Sequence, residues 1–273
     1  MYSRDRRRLG TSRRDECAAS LDKVPSSSAL ILAYPEVGAG GFTRHDGTIA
    51  FYQRVRALLR PDMTVLDFGA GRGRSVEDPV QYRRTLRTLR GSVTRVIGVD
   101  IDPVVLQNPT VDEARVVTPG NPLPLPSQSI DLVVSDFTFE HIADASWAAS
   151  ELTRVLRFGG WLCARTPNRW GYIGIGARLV PNRLHARVLR RLQPEKQEQD
   201  TFPTVYRMNT HRAIRRLFPE QDFDDHSFAL NGDPAYCGSS RIALRIAAAL
   251  VRLVPPPFET MLHIFMRRRE TPT

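Results

Sequence analysis

The stretch Val65-Leu66-Asp67-Phe68-Gly69-Ala70-Gly71-Arg72-Gly73 constrains this chain more than any other. The apolar run from Met63 to Phe68 reads as a short buried strand, and it stops at a cluster of glycines. Glycines at a strand end let main-chain amides approach a ligand where a side chain would clash. The third glycine narrows the choice of ligand. Dinucleotide-binding loops carry it one place later, and that place here is Arg74. Asp67, ahead of the first glycine, has no part in holding a pyrophosphate. It suits a cofactor that carries a positive sulfonium and an amino group.

The rest of the chain fits a strand-and-helix alternation around this loop. A helix is expected from about Thr48 to Leu59, with Ile49, Tyr52, Val55 and Leu58 on one face, and Pro61 ends it. Further strands are expected at Val96–Asp100, Arg115–Val117, Ile130–Ser135 and Trp161–Thr166, with a last one near Thr260–Met266. Helices are expected at Asp78–Arg90, Ser146–Leu156 (closed by Gly159-Gly160), Thr210–Phe218 and Ser240–Leu253. This alternation predicts a doubly wound α/β domain around a mostly parallel sheet. Asp100, at the end of the second strand, can accept both ribose hydroxyls of a nucleoside, which is compatible with NAD as well as with S-adenosylmethionine. Asp102 is the better candidate for capping the helix that opens at Pro103.

Composition bounds the alternatives. The 273 residues are 41% hydrophobic, enough for one large core with appendages. No apolar run is long enough to span a bilayer, and the arginine-rich start lacks the apolar region of a secretory signal, so a cytoplasmic protein is expected. Cys17, Cys163 and Cys237 are far apart, and neither a metal site nor a disulfide framework is supported. The net charge of +10 admits an RNA or anionic-membrane partner as well as solvated helix faces. Residues 1–28 read as a disordered basic tail that folding does not need, and 29–62 as a helical segment.

Five ordered pieces then resemble the class I methyltransferases of the type 11 group. They are Asp67–Gly73, Val99-Asp100-Ile101-Asp102-Pro103, Leu123–Val133, Phe139-Glu140-His141-Ile142, and Glu151–Gly160. The resemblance covers about Thr64 to Asn168. It implies a Rossmann-like, seven-stranded sheet with a lid insertion after strand 5, in a domain over 63–273 with the lid at 168–208 and a helical excursion at 236–257. It also implies S-adenosyl-L-methionine as cofactor, held by Asp67, Gly69, Ala70, Gly71, Gly73, Asp100 and Ile101, with Asp136 and Phe137 after the fourth strand. Many members carry an Asp before Leu-Pro that holds adenine; here Asn121 could offer its carbonyl instead.

His141, after the fourth strand, is the expected general base, and His185, in the lid, is the second choice. Asn168, Arg169, Tyr172, Tyr206, Arg207, Arg165 and Tyr236 are further polar candidates, and Trp161 and Trp170 are expected to pack. The expected activity is O-methylation of a small molecule or of a glycan or glycolipid hydroxyl. The alternatives are an RNA methyltransferase, a non-catalytic S-adenosylmethionine-binding scaffold, and, disfavoured by the glycine spacing, a dinucleotide oxidoreductase.

Overall fold

The computed structural model describes residues 31, 34–171, 204–232 and 253–270. Within them the chain runs α1 (Gly47–Leu58), β1 (Thr64–Phe68), α2 (Gln81–Arg87), β2 (Arg95–Asp100), β3 (Glu113–Val116), β4 (Ile130–Asp136), α3 (Ala145–Val155) and β5 (Leu156–Pro167). It continues through α4 (His211–Leu217), β6 (Phe223–Asp225), β7 (Phe228–Leu230) and β8 (Met261–Arg268). The strands form one sheet in the order β3-β2-β1-β4-β5-β8-β6, with β7 also on β8. Strands β1 to β5 pair in parallel, and β8 is antiparallel to its neighbours. The strand order reverses between β1 and β4, so the crevice at their carboxyl ends is where such a sheet takes ligands.

Successive side chains of an extended strand point to opposite faces, and both faces here are apolar. Leu66, Val133, Leu162 and Ile264 pack on one side with Ala148, Leu152 and Val155 of α3 and Ile214 of α4. Val65, Leu132, Cys163 and Phe265 pack on the other with Ile49, Phe51, Tyr52 and Val55 of α1 and Leu86 of α2. Helices on both faces make the sheet doubly wound, as expected. Helix α1 starts where Asp46 accepts the Thr48 and Ile49 amides at 2.9 and 3.0 Å, which satisfies two of the helix's unpaired donors.

The seven expected strand positions are present and carry eight segments. Several finer expectations are corrected. Strands β6 and β7 continue one register along β8, from Phe223 opposite Arg268 to Leu230 opposite Met261. The break between them comes from side chains: Asp225 accepts the Ser227 amide at 2.9 Å, and Ser227 Oγ accepts the Phe265 amide at 3.1 Å in place of a strand carbonyl. Gly159-Gly160 does not close a helix. Helix α3 ends at Val155, and the glycines lie inside β5, where the register with β4 slips between Ile130 and Leu132. A Cβ on Gly160 would come within 2.9 Å of the Arg157 and Asp131 carbonyls, so glycine here serves a bulge. The helix expected over Asp78–Arg90 is only α2, preceded by a 3-10 turn at Arg74–Glu77, and the third strand starts two residues earlier than expected. From residue 34 onward, the segment expected to be helical to 62 holds α1 and one 3-10 turn, Pro35–Gly38. The tail, most of the lid with Tyr172 and His185, and most of the excursion with Tyr236 lie outside the described residues.

The turn after β1 sets up the site. Gly69 and Ala70 donate to Val99 O at 2.8 and 3.1 Å, which ties the turn to β2. Gly69, Gly71 and Gly73 all have positive φ, at 81°, 52° and 76°. Their surroundings differ: a Cβ would meet Thr138 Oγ1 at 2.1 Å from Gly69 and Asn108 Oδ1 at 2.3 Å from Gly73, but nothing within 4 Å from Gly71. Gly69→Ala should therefore lose about 3 kcal/mol or more, from backbone strain plus overpacking. Gly71→Ala should lose only about 1 kcal/mol, the left-handed penalty alone. Urea unfolding of both variants checks this, and equal losses would mean that Thr138 does not press on Gly69.

Candidate active site

The glycine turn faces Asp100 at the end of β2. Asp100 Oδ2 accepts the Gly71 amide at 2.8 Å and Oδ1 accepts the Asp102 amide at 2.9 Å. Each carboxylate oxygen is thereby aimed, and each keeps accepting capacity for a further donor. Asp102 caps the following 3-10 turn through Val104 N at 2.9 Å, which leaves Asp100 for the crevice. Ile101 is 53% exposed, an apolar side chain standing open beside the carboxylate. Val117 N donates to Asp100 O at 2.9 Å, so the turn that ends at Asn121 starts from the same edge. Asn121 itself is exposed, and its main-chain carbonyl accepts the Trp147 indole at 2.8 Å.

Asp67 lies in β1, half-buried. Burial first, then the charge of Asp136, pushes its carboxyl up to about 7 against the opposing pull of Arg87. No hydrogen bond reaches this carboxylate among the described residues. Its neighbour Asp136 differs in having arginine partners. Arg165 grips Asp136 with two bonds, Nε to Oδ1 at 2.7 Å and Nη2 to Oδ2 at 2.9 Å. Tyr52 donates to Asp136 Oδ2 at 3.3 Å, and Arg87 Nη2 lies 3.6 Å from it. Burial alone would raise the Asp136 carboxyl, but Arg165 and Arg87 outweigh it and hold it below the usual carboxylate range. Arg165 also donates to Thr48 Oγ1 at 2.9 Å and lies 4.7 Å from the Phe137 ring centre. Phe137 has φ 58°, rare for an aromatic residue, and its amide donates to Arg165 O at 2.9 Å.

The 3-10 turn Phe139–His141 follows directly. Thr138, the residue that Gly69 abuts, accepts the His141 amide at 2.9 Å, so the histidine turn and the glycine turn are neighbours. The His141 ring is partly exposed, with Nε2 3.9 Å from Glu140 Oε1. Glu140 is buried and accepts the Thr166 hydroxyl at 2.8 Å, and burial raises its carboxyl. Its main-chain oxygen accepts the amides of Val205 and Tyr206 at 2.8 and 3.2 Å.

The structure thus brings together Asp67, Gly69, Ala70, Gly71, Gly73, Asp100, Asp136, Phe137 and His141 at one sheet edge. Ile101 and Asn121 stand at its rim. His185 lies outside the described residues. Asn168 is a clamp rather than a lid residue: it is buried and donates to Pro257 O and Glu259 O at 3.0 and 2.7 Å. Arg169 and Trp170 are exposed, and Trp161 packs on His226 with ring centres 5.4 Å apart. Cys163 is buried, which pushes its thiol up, and no cluster able to hold a metal occurs among the described residues. Sequence reasoning missed Thr48, Tyr52 and Arg87. Tyr52 carried a signal, since a tyrosine on the buried face of a helix must find a partner for its hydroxyl. Arg87 carried none.

The methyltransferase domain family model matches residues 66–164 of this chain. A probable S-adenosylmethionine-dependent methyltransferase of Mycolicibacterium smegmatis is 35% identical over 131 residues, 47% of this chain and 46% of that protein. One from Mycobacterium tuberculosis (strain ATCC 25618 / H37Rv) is 36% identical over 135 residues, 47% of this chain and 43% of that protein. The chain therefore spans under half the length of these curated relatives. Among solved structures, a chain from the complex between the Haloferax volcanii Trm112 methyltransferase activator and a protein described as a methyltransferase aligns with a TM-score of 0.50. It is 18% identical, over 93% of this chain and 97% of that one, a likeness of fold. The segment spanning residues 66–164 is a methyltransferase domain of the class I, S-adenosylmethionine-dependent kind, in its type 11 group.

Proposed function

We propose that this chain methylates a hydroxyl of a small molecule or glycan with S-adenosylmethionine. The observation that carries the reading is the Gly71–Asp100 contact, which holds a carboxylate with spare accepting capacity against the glycine turn, at the carboxyl ends of β1 and β2. The residues fit the cofactor. The space in front of Gly71 is open, Asp67 holds a carboxylate without a donor among the described residues, and Ile101 presents an exposed apolar side chain. In this reading Asp100 accepts the ribose hydroxyls, Ile101 lies against the adenine and Asn121 accepts from its amino group. Asp67 pairs with the amino group of the methionine part, and Gly69, Ala70 and Gly73 keep the backbone close. When bound, S-adenosylmethionine supplies a methyl group on a positively charged sulfur. Asp136 and Phe137, at the end of β4, help to hold the cofactor, and Arg165 keeps both in place. His141 accepts the proton of the attacking hydroxyl and passes it to solvent, and alignment of the acceptor does the remaining work.

Three outcomes test this. Calorimetry should detect S-adenosylmethionine and S-adenosylhomocysteine and no NAD, and Asp100→Ala should weaken binding by about 1–3 kcal/mol. NAD binding without an S-adenosylmethionine signal would remove the reading.

Asp67, at about 7, gives a pH dependence. Below that value its carboxyl is protonated and offers no charge to an ammonium, so cofactor affinity should rise between about pH 5.5 and 7.5, by up to roughly tenfold per unit. Asp67→Asn should flatten the slope. It should also gain melting temperature at pH 8 relative to pH 5, because a raised carboxyl stabilises the empty protein only while protonated. A slope that survives the substitution would assign the titration to another group.

His141→Ala should bind cofactor normally while turnover falls by about 10²–10⁴-fold. Turnover within about threefold of wild type would reject His141 as the base and point to His185.

A further inference from the structure

A groove of about 1220 Å³ opens between the start of α3 and α4, lined by Arg169, Arg207, Arg212 and Arg216 with Tyr206 and Asp144 among others. It is roomier than the usual small-molecule pocket of about 300–1,000 Å³. Among the described residues that line it, the one carboxylate is Asp144, which is spent on capping α3, where it accepts the Trp147 amide at 2.9 Å. Arg207, Arg212 and Arg216 form no ion pair and no side-chain hydrogen bond with any described residue.

Several other arginines are matched by a carboxylate. Arg44 pairs with Glu36, Arg83 with Asp46 and Asp78, Arg157 with Asp131, and Arg215, on the same helix α4, with Asp225. Arg212 and Arg216 stand one turn apart on one side of α4, a like-charge spacing that weakens a helix unless an anion lies between. The groove also abuts the site. Ala143, two residues beyond His141, lines it, and the amide of Tyr206 on its wall donates to Glu140 O at 3.2 Å.

We infer that this groove is the acceptor's anion subsite, holding a phosphate-bearing group while the hydroxyl to be methylated lies at His141. The inference rests on the methyltransferase reading above. Among the described lining residues, four guanidinium groups around one committed carboxylate match a multiply charged anion better than a single carboxylate. Planar guanidinium forks donate two parallel bonds to phosphate oxygens. An RNA track would add stacking aromatics along its length, and Tyr206 is the one aromatic among the described residues that line the groove.

The test uses the full chain with S-adenosylhomocysteine bound, and inorganic pyrophosphate as probe, by calorimetry at constant ionic strength. Arg212→Gln plus Arg216→Gln should weaken pyrophosphate at least tenfold, with S-adenosylhomocysteine affinity within twofold and melting temperature unchanged. Both side chains are exposed, so neither replacement disturbs the core. Sedimentation with phosphatidylcholine vesicles, with and without phosphatidic acid, separates the two sources of the phosphate. Capture by the acidic vesicles that the double variant loses supports a lipid-borne acceptor, and pyrophosphate binding without capture supports a soluble one. Pyrophosphate affinity unchanged in the double variant, with S-adenosylhomocysteine still bound, would overturn the groove alone. A wild type that binds no S-adenosylhomocysteine would overturn the cofactor reading, and the acceptor assignment with it. A single-stranded RNA 20-mer bound over a hundredfold more tightly than pyrophosphate, and lost in the double variant, would overturn the inference in favour of nucleic acid.

Discussion

The ion pair between Arg165 and Asp136 is the joint on which the carboxyl edge of this sheet depends. The two residues stand opposite each other on β5 and β4, and their side chains are only 5% and 10% exposed. Burying two charges costs several kcal/mol per ion, and attraction offsets that cost only where the remaining hydrogen-bonding capacity is filled. Here it is filled from both helices on one face: Tyr52 and Thr48 come from α1, and Arg87 comes from α2. The pair thus fixes where these helices sit on the sheet. It also fixes the turn beyond β4, because Phe137 is held in its left-handed conformation by a bond to the Arg165 carbonyl and lies under the guanidinium.

That arrangement leaves an asymmetry among the three carboxylates of the crevice. Asp136 takes both nearby arginines and stays ionised. Asp100 takes two main-chain amides. Asp67 is withdrawn from water within reach of both negative charges, and none of the described residues donates to it; burial first, then the charge of Asp136, pushes its carboxyl up to about 7. On the proposed reading, an ammonium group entering beside Asp67 would supply what the described residues withhold, and the charge of Asp136, one strand away, would favour that cation before any ligand arrives.

Much of this was legible in the sequence because it is carried by local rules. Alternating strands and helices, the cap at Asp46, the glycine turn and the Asp100–Asp102 division of labour each follow from a few adjacent residues. What escaped is set by partners far along the chain. Gly159-Gly160 reads equally well as a helix stop or a strand bulge, and only the slip against Ile130 decides between them. The break between β6 and β7 depends on Ser227 intercepting an amide 38 residues away, which no periodicity reveals. Asn168 looked like a lid residue because polar chain follows it; its amide group instead clamps carbonyls about 90 residues on. Arg87 sits on a helix whose basic face gives no hint that one arginine of several turns inward.

The division proposed between a cofactor side and an acceptor side follows the chain itself. Asp67, Gly69, Gly71, Asp100, Asp136 and His141 all fall within residues 66–164, the span that the family model matches. Arg169, Tyr206, Arg207, Arg212 and Arg216, which line the basic groove, all fall beyond it. The two halves meet through main-chain bonds from Val205 and Tyr206 to Glu140 O, and through the buried contact of Thr166, itself bonded to Asn209, with Glu140. Main-chain bonds survive side-chain replacement. A chain joined this way can therefore change the side chains of the groove without moving the edge that bears Asp67 and Asp100. That is the physical form of a common rule, that a fold persists while the chemistry recognised at its rim is exchanged.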